Sequence, residues 1–192
     1  MSLQLIAFTA LVLAVAAQRL WELRISRRHE ERILAAGGRE HAARQMPWMR
    51  AVHASWLAGM LGEAWLLQRA VSPWLAALAI AAFAAGQTLR LSAMRELGDR
   101  WTVKVMTVPD APAVSSGVFG RLRHPNYLGV CLELAALPLL GGAYVTAIAA
   151  SVANGILLRA RIAAEEAALT AENDYASALA GRRRFVPTGR AS

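Results

Sequence analysis

A short polar segment with two ionisable side chains stands directly before a long apolar run. It reads Arg123–His124–Pro125–Asn126–Tyr127, and the apolar residues 128–140 follow it. Pro125 has no backbone N–H and biases His124 toward an extended conformation, so we expect a helix to begin at Pro125. The free N–H groups and positive dipole of a helix N-terminus suit an anionic ligand group. The sequence therefore predicts a binding site where this helix begins.

A second group of charged residues follows the next apolar run, residues 143–158. Arg161 and Glu165 are four residues apart, close enough to interact on one helical face, and Glu166 adds a second carboxylate. An ordinary surface ion pair is the alternative interpretation. Gly141–Gly142 separates the two apolar runs and predicts a tight hairpin, which returns this group toward His124. We therefore expect the acidic pair and His124 to face the same ligand.

Three further ionisable residues lie inside apolar segments. Glu133 interrupts the run 128–140, and His53 shares one face of an earlier predicted helix with Glu63. Ionisable groups at membrane depth rarely face lipid, so Glu133 is expected to face a cavity with His53 or Glu63 opposite as proton acceptor. The alternatives are that Glu133 pairs structurally with Arg90 and that the His53 face only packs.

The composition places these residues in a membrane protein. Hydrophobic residues make up 56% of the 192 and charged residues 18%, and the mean hydropathy is +0.36, which is too apolar for a soluble chain of this length. We predict an all-α integral membrane protein with about five transmembrane helices, at residues 3–20, 49–67, 73–91, 128–140 and 143–158. Charges follow the first run instead of preceding it, so we expect a retained membrane helix, not a signal peptide.

The chain is expected to form one domain over residues 1–192. Residues 1–91 would hold three spans and a basic loop over 19–50, and residues 92–192 the cofactor-binding catalytic half. Residues 101–108 alternate apolar and polar side chains, which predicts a short extended piece. A helix after Arg159 is expected to cover the cofactor site.

The basic residues predict an orientation. Of 21 Lys and Arg, Arg69 alone falls in a loop on the N-terminal side of the membrane. The positive-inside rule then places the N-terminus outside and the C-terminus and site in the cytoplasm. The expected location is a membrane, the inner membrane if the source is a bacterium.

Several classes of protein are disfavoured. The net charge of +8 comes from arginines between apolar runs, so nucleic acid is not expected as a partner. Cys131 is the single cysteine and the four histidines show no ligand spacing, so no metal site is expected. No GxGxxG motif follows a predicted strand, which excludes a soluble Rossmann-type methyltransferase.

The motifs together resemble the isoprenylcysteine carboxyl methyltransferase family, integral membrane enzymes that use S-adenosylmethionine. The resemblance covers about residues 100–189. It rests on the segments Gly117–Val118–Phe119, Arg123–His124–Pro125–Asn126–Tyr127–Leu128–Gly129, Arg161–Ile162, Glu165–Glu166, Leu169, Tyr175 and Val186–Pro187–Thr188–Gly189.

The resemblance implies which residues bind the cofactor and which act in catalysis. Arg161 matches the arginine that the family directs at the substrate, and Arg123 and Glu133 complete the candidate catalytic set. Phe119 stands where the family usually has tyrosine, and Lys104 where it has glutamine. The implied cofactor contacts are Lys104, Ala111, Pro112, Ala113, Val114, Phe119, His124, Pro125, Asn126, Tyr127 and Glu165.

The resemblance leaves the acceptor open. A lipid-tailed or prenylated carboxylate is ionised near neutrality and needs only orientation, whereas a phenolic hydroxyl must lose a proton. The N-terminal half is similar to bacterial relatives that act on alkylresorcinol or alkylpyrone lipids, which favours a phenolic lipid. The alternative functions are an NADPH-dependent membrane reductase of the sterol-reductase type and a non-enzymatic membrane scaffold.

Overall fold

The computed structural model describes residues 3–187 and is mostly helical. Short 3₁₀ turns lie at Ala43–Gln45, Gly98–Arg100 and Gly117–Gly120. The main elements are α1 (Leu3–Ala35), β1 (Arg39–His41), α2 (Met46–Leu67), α3 (Pro73–Leu97), β2 (Val105–Thr107), α4 (Pro125–Leu139), α5 (Tyr144–Glu172) and α6 (Tyr175–Ala178).

Three stretches are long and apolar enough to cross a membrane. They are Leu3–Ala35, Pro73–Arg100 and Tyr144–Glu172. All five predicted helices form, but α2 and α4 do not meet the same criteria of length and hydropathy among residues 3–187. The structure therefore supports a helical membrane protein, and the number of five spans stays a prediction.

The apolar core lies where α1, α2, α4 and α5 meet. Trp56 on α2 is central to it, since its indole Nε1 donates to the backbone oxygen of Leu134 on α4 at 3.1 Å. This hydrogen bond satisfies the one polar atom of a fully buried ring. The core residues are Leu5, Phe8, Val12, Val15, Trp56, Met60, Ala64, Leu134, Leu137, Ala143 and Ala150.

Helix α1 is much longer than its apolar run. We predict a helix over 3–20 and a separate surface segment over 19–50, and that prediction is wrong for 21–35, which continue α1 to Ala35. The continuation is held by Ser26, whose Oγ donates to Glu30 at 2.6 Å and accepts from the backbone N–H of Val103 at 2.9 Å. The charged half of α1 thus packs on the loop before β2.

Helices α3 and α4 approach each other backbone to backbone. A Cβ built on Gly129 would lie 2.6 Å from the oxygen of Gly86 and 2.5 Å from Cγ of Arg90. A Cβ on Gly86 would in turn lie 2.8 Å from the oxygen of Gly129. Only glycine fits at this crossing. The close crossing holds the start of α4 against α3. Helix α4 begins at Pro125, as predicted.

The predicted hairpin between α4 and α5 turns at Gly141–Gly142, where Gly142 has φ +67°. No side chain of the turn caps α5. Glu63 of α2 does so instead, since its carboxylate accepts from the backbone N–H groups of Val145 at 3.1 Å and Thr146 at 2.8 Å. Arg69 pairs with Glu63 at 2.5 Å. Glu63 is therefore an intramolecular cap, and the prediction that it faces a cavity opposite Glu133 is wrong.

The C-terminal half differs from the prediction in its helices. Residues 159–172 do not form a helix of their own, because α5 continues without a break from Tyr144 to Glu172, and the short α6 follows it. The extended piece predicted over 101–108 contains β2, which pairs antiparallel with β1 so that His41 lies opposite Val105. Thr188 and Gly189 of the family resemblance lie outside the described residues.

Candidate functional site

His124 lies at the start of α4, held by its backbone and its ring. Its N–H donates to the backbone oxygen of Arg184 at 3.2 Å, so residues 182–184 run beside it. We call these three residues the strap. Nε2 of the buried ring is 2.9 Å from Oε1 of Glu166 and 3.5 Å from the hydroxyl of Tyr175. Arg184 also pairs with Glu166 at 2.6 Å. The start of α4 and the end of α5 thus meet as predicted, through Glu166.

Arg161 and Glu165 do not form a direct ion pair with each other. They meet instead at the hydroxyl of Tyr127 on α4, which accepts from Nε of Arg161 at 2.9 Å and donates to Glu165. The guanidinium also donates to the backbone oxygen of Val103 and contacts Sδ of Met46 at 3.8 Å. Tyr127 is therefore fixed between a cation and a carboxylate, one turn below His124, on which its ring stacks at 5.4 Å.

Two groups close to His124 and outside the membrane helices have shifted pKa values. Burial, with the carboxylates of Glu166 and Glu165 nearby, raises the pKa of Tyr175 well above that of a free tyrosine. Its hydroxyl therefore stays protonated beside His124 at neutral pH. The hydrogen bond to Glu166 raises the pKa of Arg184, which stays charged.

A cavity of about 600 Å³ opens between α1, α2, α4 and α5. A smaller one of about 110 Å³ adjoins it, and Phe119, Arg123 and Glu165 line both. The larger cavity extends from His124 down to Glu133 and is mostly apolar. Its apolar residues include Leu20, Leu23, Trp56, Leu57, Val130, Leu134 and Leu158. A polar end and an apolar length suit a ligand with a head group and a tail.

The structure brings the predicted cofactor contacts to these two cavities. Ala111, Ala113, Val114, Phe119 and Glu165 line the smaller one. Pro112 is the exception, as it lines neither, and its backbone oxygen accepts from Arg100 at 2.6 Å. Those at the larger cavity are Lys104, Phe119, His124, Pro125, Asn126, Tyr127 and Glu165.

Several of these residues have polar atoms without a hydrogen-bond partner among residues 3–187. Oδ1 of Asn126 and Nε of Arg123 are buried and unpartnered, and both residues line the larger cavity. No side chain caps α4, so the N–H groups of its first turn are also available. Lys104 is different, because its ammonium pairs with Glu40 at 2.7 Å and Glu30 at 3.3 Å. Unpartnered buried donors and acceptors beside a cavity indicate a polar ligand.

Glu133 belongs to a buried charge network at the far end of the larger cavity. It pairs with Arg19 and, at 3.5 Å, with Arg90, and Arg90 pairs with Glu22 at 2.6 Å. The two arginines and two glutamates sum to zero charge, which reduces the cost of burial. Pairing with Arg90, one of the two alternatives from the sequence, is therefore present, and Glu133 has no open carboxylate.

Some residues of the site carry no sequence signal that reveals their role. Glu22 and Arg19 look like ordinary charges after an apolar run, and their contacts to α3 and α4 are long-range. Arg184 approaches His124 because residues 182–184 fold back along the loop before α4. Glu166 was visible as half of an acidic pair, but spacing does not tell which carboxylate meets His124.

One of the comparisons with known proteins names a family. A sequence profile described as the isoprenylcysteine carboxyl methyltransferase (ICMT) family matches residues 77–171. The chain is 32% identical to "Uncharacterized protein YpbQ" of Bacillus subtilis (strain 168), covering 84% of this chain and 96% of the relative. It is 31% identical to an "Uncharacterized protein" of Haemophilus influenzae, covering 81% of this chain and 91% of the relative. No solved structure matches the chain significantly.

Proposed function

Because the chain belongs to the isoprenylcysteine carboxyl methyltransferase family, we propose that it is a membrane O-methyltransferase using S-adenosylmethionine and a lipid-tailed acceptor. The observation that carries the proposal is the joining of His124 to Glu166 at 2.9 Å and of Tyr127 to Glu165 beside one cavity. The two motifs of the family thus close over one space.

The residues at that space fit the groups of S-adenosylmethionine. Its carboxylate would lie at the uncapped start of α4, near the unpartnered Nε of Arg123. Its ammonium would bind Oδ1 of Asn126 or the carboxylate of Glu165. The adenine would occupy the smaller cavity, against Phe119 and the other predicted contacts Ala111, Ala113 and Val114.

When bound, the cofactor supplies a methyl group that is already activated for displacement. The protein then has to align an acceptor oxygen and exclude water, which can lower the barrier by several kcal/mol. Tyr127 and Arg161 line the larger cavity, and Tyr127 donates to Glu165, which lines both cavities. We assign to Arg161, with Arg123, the orientation of the acceptor head group. Glu133 would fix the charge network that ends the cavity.

The apolar length of the larger cavity supports a lipid tail on the acceptor. A phenolic lipid of the alkylresorcinol type and an isoprenylcysteine-type carboxylate are the two proposed classes. Residues from both halves of the chain line this cavity, for example His53 and Arg161, which supports a single domain over 1–192. The proposed location is a membrane with the N-terminus outside and the site on the cytoplasmic side. Neither a metal nor nucleic acid is part of the proposal.

The test is transfer of labelled methyl from S-adenosylmethionine to lipid by the purified protein in detergent. We expect a labelled, lipid-soluble product from a native lipid extract, and its loss in His124→Ala and Glu165→Ala. Mild alkali then distinguishes the acceptors, because methyl esters release methanol and aryl ethers do not.

Glu31→Gln is the matched control, since Glu31 is an exposed residue of α1 that makes no ion pair within 3–187. It should behave as wild type. Saturable binding of NADPH with none of S-adenosylmethionine would identify a reductase. Full retention of transfer in both site variants would contradict the assigned site.

A further inference from the structure

His53 on α2 has a hydrogen bond that fixes which ring nitrogen carries the proton. Nδ1 is 2.8 Å from the backbone oxygen of Met49, one turn earlier. A carbonyl oxygen only accepts, so Nδ1 must carry the hydrogen and donate it. In the neutral ring Nε2 then holds a lone pair. His53 is therefore oriented as a proton acceptor at Nε2.

His53 lines the larger cavity. Among residues 3–187, its Nε2 has no hydrogen-bond partner and is not one of the unpartnered polar atoms that are cut off from solvent. Seven residues before it, Met46 contacts Arg161, and three residues after it, Trp56 bonds to Leu134 on α4. His53 thus lies level with the stretch of α4 between Tyr127 and Leu134, below the proposed methyl-transfer position.

The other candidate bases along the cavity are already occupied. Glu133 and Glu22 pair with Arg19 and Arg90. Oε2 of Glu165 accepts from Tyr127 and its carboxylate is a proposed contact of the cofactor's ammonium, and Nε2 of His124 faces Glu166. Among the described residues that line the cavity, His53 therefore holds the open proton acceptor.

Charged groups face His53 from the helices around it. Arg19 on α1 and Arg161 on α5 act on the ring through their charge, and Glu133 on α4 and Arg90 on α3 line the same cavity. Arg19 and Glu133 are paired with each other, so their charges partly cancel at the ring, whereas Arg161 and Arg50, which also line the cavity, are positive.

We propose that His53 is a catalytic residue that accepts the proton of a hydroxyl acceptor during methyl transfer. The inference rests on the proposed function. The acceptor oxygen forms its bond to the methyl carbon as its proton passes to Nε2. The bond between the methyl carbon and sulfur breaks, and its electron pair stays on sulfur. The sulfonium thus becomes a neutral thioether, and the positive charge is now on the imidazolium of His53. A carboxylate acceptor carries no such proton and does not need His53.

The variant that isolates this role is His53→Asn. An asparagine amide nitrogen lies near the position of Nδ1 and can keep the bond to Met49, while nothing basic replaces Nε2. With 5-pentadecylresorcinol as acceptor we expect kcat to fall at least about 100-fold. With S-farnesyl-N-acetylcysteine it should stay within about threefold. His41→Asn, in β1 and away from both cavities, should leave both rates unchanged.

A second measurement needs no turnover. In protein labelled with ¹⁵N-histidine, the signal that disappears in His53→Asn should shift when 5-pentadecylresorcinol is added. Its dimethyl ether, which has no proton to donate, should leave that signal unmoved. An unmoved signal with the resorcinol, or an equal loss of rate on both acceptors, would overturn the proposal. Failure of S-adenosylmethionine to bind the same sample would instead contradict the proposed function.

Discussion

Glu166 joins more of the site than any other single carboxylate among the described residues. Its two oxygens accept from His124 at 2.9 Å and from Arg184 at 2.6 Å, and Arg123 lies 3.8 Å away. It therefore connects α5, the start of α4 and the strap formed by residues 182–184. Removing its charge leaves a buried imidazole and two guanidinium groups without their shared acceptor.

We expect Glu166→Gln to lower the free energy of unfolding by about 2 kcal/mol, the range for hydrogen bonds to charged groups. It should also weaken cofactor binding by about tenfold, which corresponds to about 1.4 kcal/mol. Thermal unfolding in detergent and equilibrium binding check the two effects. A variant as stable as Glu31→Gln would show that the strap does not depend on this carboxylate.

Tyr127 is the residue at which Arg161 and Glu165 of α5 meet. Its hydroxyl separates Arg161 from Glu165 and satisfies both. Tyr127→Phe keeps the ring stacked on His124 and removes only the oxygen. We expect kcat/KM to fall by about 10- to 100-fold, because a bond to a charged group contributes about 1.5–3 kcal/mol. The Tm should fall by only a few degrees, and an unchanged kcat/KM would remove Tyr127 from the site.

At the scale of elements, the crossing of α3 and α4 leaves no room for an added side chain. Gly129→Ala would drive a methyl group into Gly86 and Arg90, with contacts of 2.5–2.6 Å. We expect a loss of about 1–3 kcal/mol, together with weaker cofactor binding as the start of α4 moves. Thermal unfolding in the same detergent measures it.

Gly62→Ala is the matched control for that variant. Gly62 is also inside a helix, but nothing lies within 4 Å of a Cβ built there. Alanine is the better helix former by about 1 kcal/mol, so this variant should be neutral or slightly more stable. Equal effects at Gly129 and Gly62 would contradict the close approach of α3 and α4.

The elements also show what the sequence could and could not predict. The start of α4 at Pro125 and the turn at Gly141–Gly142 follow from local chemistry, namely a missing N–H and a flexible backbone. The pairing of β1 with β2 joins segments that are far apart in the chain, and no local pattern indicates it. The charges from Arg159 onward predicted a separate helix. Helix α5 nevertheless continues to Glu172, and β1, β2 and α6 pack against it.

Of the buried network of Arg19, Glu22, Arg90 and Glu133, the sequence suggested only the pair of Arg90 and Glu133, as an alternative. Each residue alone is an ordinary charge beside or inside an apolar run. Only the packing of α1, α3 and α4 shows that the four compensate one another. The motif at 123–127 could be recognised because the residues that act together are also neighbours in the chain.

At the scale of the whole molecule, Arg69 is the exception to a one-sided distribution of positive charge. Its guanidinium pairs with Glu63 at 2.5 Å, donates to the backbone oxygen of Gly142 at 3.0 Å and lies 5.5 Å from the centre of the Tyr144 ring. It is therefore held by structural partners at the end of the molecule opposite His124. Its presence does not weaken the proposed orientation.

Cysteine labelling tests that orientation. In a Cys131→Ser background, Ala70→Cys precedes α3 and Ala36→Cys follows α1, and both positions are exposed. A membrane-impermeant maleimide added to intact cells should label the Ala70→Cys variant and not the Ala36→Cys variant, because the proposed cytoplasmic side holds Ala36. Lysed cells should show labelling of both variants. The reverse pattern in intact cells would place the site outside.

The central claim is that the start of α4 and the end of α5 hold one molecule of S-adenosylmethionine between them. The measurement that tests it most directly is equilibrium binding of labelled S-adenosylmethionine to the purified protein. We predict saturable binding by wild type and Glu31→Gln, at least about tenfold weaker binding by Glu165→Gln, and none of NADPH. Binding of NADPH in place of S-adenosylmethionine, or equal affinity in Glu165→Gln, would contradict the account.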